Sequence, residues 1–238
     1  MAAVDEAPRA PTARYGPLVH RSVHHAAILY IVGVVQFLVG MAVTQLLYGP
    51  PTYSLLGNYI SDLGAVHCGL WEGHTVCSPG HEVFNVSIIV LGLFLIFGTL
   101  LIRTAFPARA TRTVGLAFLV IAGIGAIGVG LSPEDVNLTI HSISAGAAFF
   151  GAGLALVILA LAMFRDTRWD GFRTYTLVSG LVDLIAFFLF VGKVYGPLQV
   201  GGMERLIVAP VLLWAVVVGV HLLGMRTYVP AGVHASKS

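Results

Sequence analysis

Apolar residues gather into six stretches separated by short polar interruptions: residues 26–48, 83–102, 114–131, 141–164, 175–194 and 206–225. Each is close to the ~20 residues that a helix needs to cross the ~30 Å hydrocarbon layer of a bilayer. Lipid offers backbone N–H and C=O groups no partners, so a segment that crosses must satisfy them within itself, as a helix does. The pattern therefore predicts an all-α protein, an integral membrane bundle of six transmembrane helices. The shortest stretch, 114–131, is glycine-rich but sharply bounded by Arg112 and by Ser132-Pro133-Glu134-Asp135. That tetrapeptide reads as a helix start, with Ser accepting from orphan N–H groups and Pro suiting the first turn.

Small residues recur at helix-packing intervals in the third and fourth stretches. Ala122, Ala126 and Gly130 share a face, as do Ser144, Ala148 and Ala152, and also Ala147, Gly151 and Ala155. Such faces allow close helix approach in lipid, and they are expected inside one bundle rather than at a dimer seam. No internal repeat supports an inverted-repeat transporter.

Composition agrees with this pattern. The 238 residues are 57% hydrophobic and only 10% charged, with mean hydropathy +0.90, whereas soluble domains are ~25% charged. A net charge of +2 gives no footing for a nucleic-acid partner. The distribution of charge says more than its sum. Eleven of the thirteen Lys and Arg residues fall in residues 1–25, the second-to-third and fourth-to-fifth connections and the C-terminal tail, leaving only Lys193 and Arg205 elsewhere. By the positive-inside rule both termini are expected in the cytoplasm. Residues 1–25 then form a cytoplasmic segment, 26–226 a six-span membrane domain with an outer loop over 49–81, and 227–238 a cytoplasmic tail. Residues 1–25 lack the apolar core of a cleaved signal peptide. The expected location is the plasma membrane of a bacterium, the latter from the excess of Arg over Lys with abundant Ala, Gly and Val.

Candidate chemistry concentrates between residues 53 and 85, the most polar part of an otherwise apolar chain. It holds Asn58, Ser61, Asp62, His67, His74, His81, Glu82 and Asn85, together with Cys68 and Cys77. On the outer side those two cysteines are expected to form a disulfide; C-x₈-C is wider than usual structural zinc spacings. Residues 53–63 are too short and polar to cross, and are expected to lie along the interface or to dip in under protein cover. Asp62, His81, Glu82 and His141 are acceptable ligands for zinc or another divalent ion, His81 and Glu82 foremost. Alternatively, Asp62 and His141 could act as base and orienter for the Ser61 hydroxyl. Asn58, Asn85, Lys193, Glu204 and Arg205 are expected to complete an outward-facing pocket around Asp62 and His141. The bland alternative makes Asp62 a helix cap and His67 and His74 ordinary loop residues. Asp183, in the middle of the fifth stretch, is a costly intramembrane carboxyl; Gln36 is its expected partner.

The run Asn58-Tyr59-Ile60-Ser61-Asp62-Leu63-Gly64, a cysteine-bearing loop and then Glu82-x-x-Asn85 opening a span resembles a prokaryotic multi-span family catalogued as a domain of unknown function. It is also similar to the eukaryotic DRAM/Sfk/FGF-receptor-activating-protein group. His141-Ser142-x-Ser144-Ala145 and Glu204-Arg205 followed by Trp214 fit the prokaryotic family too. The resemblance implies six membrane helices and, through the eukaryotic relatives, lipid remodelling, lipid asymmetry or autophagy regulation. It transfers no catalytic residue. The leading expectation is a pocket that engages a membrane lipid or amphipathic small molecule. The alternatives are a lipid hydrolase or transferase using Asp62, His81 and His141, and a proton-coupled transporter working through Asp183.

Overall fold

The computed structural model describes residues 17–164 and 166–224. The expectations for the terminal segments, which rest on Arg9, Arg14, Arg226 and Lys237, and for Arg165, lie outside the described residues. Six long helices account for the six apolar stretches: α1 Pro17–Leu46, α2 His81–Ile102, α3 Ala110–Leu131, α4 Leu138–Ala162, α5 Phe172–Val191 and α6 Gln199–Gly224. All six are long and apolar enough to cross a membrane. Every helix begins before its apolar run, while α1, α4 and α5 end two or three residues short of it. The short third run becomes 22 residues by extending back to Ala110. α6 starts at Gln199 and so carries Glu204 and Arg205 in its first turns.

The tetrapeptide at 132–135 does not start α4. The helix opens at Leu138, and the Asn137 side chain caps it by accepting from Ile140 N at 3.1 Å. Residues 132–135 instead form a loop whose two carboxylates point at the 61–67 segment, which supplies them with hydrogen-bond donors (below).

Consecutive helices pack side by side and α6 returns to α1, which closes a ring of six. Glycine sets the closest approaches. A Cβ at Gly125 of α3 would meet Ala148 N and Ser144 O of α4 at 2.5 Å, and one at Gly92 of α2 would meet Gly123 O of α3 at 2.5 Å. The outward faces carry Val35, Val39, Phe97, Ile124, Ile143, Ile185, Phe188 and Leu213, all exposed, as a lipid-facing belt requires.

One end of the ring carries the long α1–α2 connection, here called the hairpin end. Strands β1 Gly69–Trp71 and β2 His74–Val76 pair antiparallel, with Trp71 opposite His74. The two-residue turn between them has positive φ at both Glu72 and Gly73, the geometry that twists correctly for a hairpin. The expected Cys68–Cys77 disulfide closes the base of the hairpin, with Cα atoms 4.1 Å apart. Before it, Ile60 to Ala65 are buried and include a 3-10 turn at Ser61–Gly64.

The opposite end of the ring is filled. Tyr30, Phe106, Trp169, Phe172 and Trp214 form one buried aromatic cluster, in which Phe106 stacks on Trp169 with centroids 4.9 Å apart. Two bonds tie polar atoms into it, Tyr30 Oη with Thr99 Oγ1 at 2.9 Å and Trp214 Nε1 to Thr176 Oγ1 at 3.0 Å.

Candidate functional site

The 53–67 segment lies across the hairpin end of the ring, held from both sides by side chains of distant elements. From α6, Glu204 accepts from Ile60 N at 2.5 Å. Arg205 donates to Asn58 O and to the Tyr53 hydroxyl, at 3.2 and 2.5 Å, and also to Gly201 O. The α3–α4 loop clamps the other side. Ser61 Oγ donates to Glu134 at 2.6 Å, while Asp135 accepts from Val66 N, from His67 N and from the His67 ring. Ser78 and Asn85 donate to Leu63 O and Gly64 O from below.

Asp62 is fully buried within this arrangement. Its carboxylate accepts from Asn58 Nδ2 at 2.7 Å and Tyr59 N at 3.1 Å, and meets His74 Nε2 at 2.9 and 3.0 Å. Asp62 caps no helix; Ile60 occupies the position before the 3-10 turn. The imidazole at Asp62 is that of His74, which the hairpin folds back over the turn. His141 turns its Nδ1 to Ser132 O at 2.9 Å, and His81 turns its Nδ1 to Ser78 O.

Glu134 stands beside Asp62. Burial pushes its carboxyl up to about 9, helped by a hydrogen bond and charge from Asp62 and opposed by the Ser61 hydroxyl. Asp135, one residue on, is held below the usual carboxylate value: burial raises it, but the His67 and Val66 N–H groups and the His67 ring outweigh that.

Inside the ring lies a cavity. Ile60 and Ser61 line it at the hairpin end, with Glu204 and His141. Below these the wall is apolar, with Val34, Phe37, Leu91, Leu95, Val211 and Ala215, and one further polar group, Asp183. Ala215 follows Glu204 by 11 residues, so the cavity runs ~17 Å along α6 at 1.5 Å per residue. Ala122 and Ala126 of α3, with Ala145, Ala148 and Ala152 of α4, also face it. The small-residue faces of these two helices thus border open space as well as each other, and their lack of bulk is why the ring axis is not filled.

Asp183 is 1% exposed and neither carboxyl oxygen has a hydrogen-bond partner among the described residues. Gln36, its expected partner, donates instead to Gly33 O and Ser87 O, both at 2.9 Å. The helical rotation of α1 turns Gln36 towards α2, whereas Asp183 faces the cavity. Gly153 of α4 makes the room for it, since a Cβ there would collide with Asp183 Oδ1.

The sequence-predicted residues thus divide. Asn58, Ser61, Asp62, Glu204 and Arg205 come together in the layer that closes the hairpin end of the ring, with Asn85 just beneath; of the predicted residues, Ser61, Glu204, His141 and Asp183 line the cavity. Lys193, at the end of α5, and Glu82 are exposed. Among the described residues, no group of three or more His, Cys, Asp or Glu stands close enough to hold a metal ion. His74, Glu134 and Asp135 were missed as site residues. The Glu72-Gly73 turn between two cysteines was the available signal for the first; no local feature marks the other two.

No curated protein and no solved structure matches the chain. A family model described as "Protein of unknown function (DUF998)" matches residues 31–221, from the middle of α1 to near the end of α6, with the hairpin and the cavity between. The chain belongs to that family, the DUF998 family of unknown function.

Proposed function

We propose that this protein binds a membrane lipid or other amphipathic small molecule in the cavity of its helix ring, with the hairpin end facing outside. One observation carries the reading: a long, mainly apolar cavity with Ser61, His141 and Glu204 towards the hairpin end and a single carboxyl, Asp183, deeper in. That division matches a molecule with a hydrocarbon chain and a polar head. The apolar walls would take the chain, and the few polar groups would fix the head. The likeness of residues 58–64 to the DRAM/Sfk/FGF-receptor-activating-protein group points the same way.

Two observations favour binding over the other readings. A proton-coupled transporter through Asp183 needs a polar path to the far end, where the packed aromatic cluster around Trp169 and Trp214 stands instead. A hydrolase using Asp62, His81 and His141 needs these groups on one substrate, yet the imidazole that meets Asp62 is that of His74, while His81 and His141 each turn Nδ1 to a backbone carbonyl elsewhere. Orientation rests on the distribution of Lys and Arg and on the disulfide, which forms under oxidising conditions.

The binding reading is tested with the full chain in nanodiscs and diazirine-bearing twelve-carbon amphipaths carrying neutral, anionic or cationic heads. At least one should label peptides that contain Leu91, Leu95 or Ala215, and Ala126→Phe or Ala152→Phe should abolish that labelling. If no probe labels these peptides above the lipid-facing surface, the cavity is not a binding site. Orientation is tested by cysteine substitution: an impermeant reagent applied outside should modify a cysteine at Glu72 and spare one at Ala108.

A further inference from the structure

The polar groups that line the cavity are two carboxyls, Asp183 and Glu204, one imidazole, His141, and one hydroxyl, Ser61; neither Lys nor Arg is among the lining residues. The cation nearest in sequence, Arg205, directs its donors to the Tyr53 hydroxyl, Asn58 O and Gly201 O, away from the space. Ala186 of α5 packs with Met203 and Ile207 of α6. Asp183 therefore lies about one helical turn deeper than Glu204, on the neighbouring helix.

A buried carboxyl whose oxygens receive no donor is a costly arrangement. Asp183 has that arrangement: it lines the cavity, with its carboxyl lying against Gly153 of α4. Its neighbours leave it room, because position 153 is glycine. Four lone-pair sites on Asp183 call for a ligand that donates hydrogen bonds. Two carboxyls with no lining cation call for one that brings positive charge.

Resting on the binding reading above, we infer that the cavity selects a single-chain amphipath with a primary ammonium head, held between Asp183 and Glu204 while its chain lies along Leu91, Leu95 and Ala215. A primary ammonium carries one charge and three N–H donors, so it can serve both carboxyls at once. A quaternary ammonium brings the charge without the donors. An alcohol brings one donor without the charge. A fatty acid or phosphate monoester places like charge against both side chains, which is costly in a low-dielectric space.

The experiment uses the full chain in nanodiscs of neutral lipid at pH 7, with diazirine-bearing dodecylamine as the label. Unlabelled dodecylamine, dodecyltrimethylammonium, dodecanol and laurate compete. Labelling should map to the cavity walls, and the order of competition should be dodecylamine, then dodecyltrimethylammonium, then dodecanol, then laurate. Dodecylamine should act at concentrations at least ~10-fold below laurate, the ratio that ~1.4 kcal/mol confers. Asp183→Asn should erase most of that ratio while leaving the unfolding temperature unchanged or higher, because an unpartnered carboxyl is removed. Glu204→Gln should reduce the ratio as a second, independent variant.

Equal competition by laurate or dodecanol overturns the head-group inference. So does an Asp183→Asn protein that keeps the full preference. In either case labelling of cavity peptides still supports a binding cavity. Failure of every head group to label those peptides overturns both readings together.

Discussion

His74 Nε2 lies within 3.0 Å of both carboxylate oxygens of Asp62, although the two residues belong to a strand and a buried turn twelve positions apart. The imidazole is the partner that the hairpin delivers, and its ring also rests 5.9 Å from that of Tyr59. His74→Ala leaves Asp62 with the donors of Asn58 and Tyr59 only. The expected cost is about 1–3 kcal/mol, that of a buried acceptor losing a charge-assisted bond. Asp62→Ala strands three donors at once and should cost more than His74→Ala. Unfolding of the purified variants in detergent, followed by intrinsic fluorescence, ranks them.

Glu134 sets a pH dependence of stability. Its folded value, about 9, is raised above the ordinary 4.5. Between those two values the folded protein holds a proton that the unfolded chain releases, so stability falls as pH rises through this window and is fully present below it. Glu134→Gln keeps the neutral shape and donates an N–H, and should flatten stability between pH ~5 and ~9. A slope as steep as that of the native protein would place the titrating group elsewhere.

The Cys68–Cys77 bridge closes a short loop, with the two residues nine positions apart. Replacing both cysteines by serine should cost about 2–3 kcal/mol through the unfolded state. Because the bridge sits at the base of the strand pair that carries His74, the variant should also lose most of the destabilisation that His74→Ala causes. A double-mutant cycle with additive costs would show that the bridge does not hold His74 in place.

Gly125 tests the closeness of α3 and α4. Valine there must displace Ala148 N and Ser144 O, both backbone atoms, so the loss should be about 1–3 kcal/mol despite the better intrinsic helix propensity. The same change at Gly146, whose added Cβ meets nothing within 4 Å, should be neutral or slightly stabilising. Parallel thermal melts of the two variants decide it.

The membrane architecture was legible because apolar length alone nearly determines a transmembrane helix, and both the disulfide and the small-residue faces of α3 and α4 follow from local pattern. The roof over the cavity was legible only in part. Asp62 and Ser61 stood out as polar residues in an apolar chain, but their partners are set by three-dimensional closure. Ser61 finds Glu134 across 73 positions, and Ile60 finds Glu204 across 144. No periodicity encodes such distances. Gln36 shows the converse error: similar depth in the membrane suggested a pair with Asp183, and helix rotation separated them.

The positions of Glu134, Glu204 and Arg205 along the chain also dictate an order of assembly. Chains emerge from synthesis N-terminus first, so Asp62 and the hairpin that brings His74 to it are complete before the second membrane crossing begins. Glu134 arrives only after the third crossing, and Glu204 with Arg205 only as the last helix inserts. Until then Ile60 N, Asn58 O and the Tyr53 hydroxyl lack their α6 partners. The segment that caps the cavity is therefore among the first parts made and the last to be fully secured, and a chain truncated before α6 would hold it from the α3–α4 side and from below, without its bonds to Glu204 and Arg205.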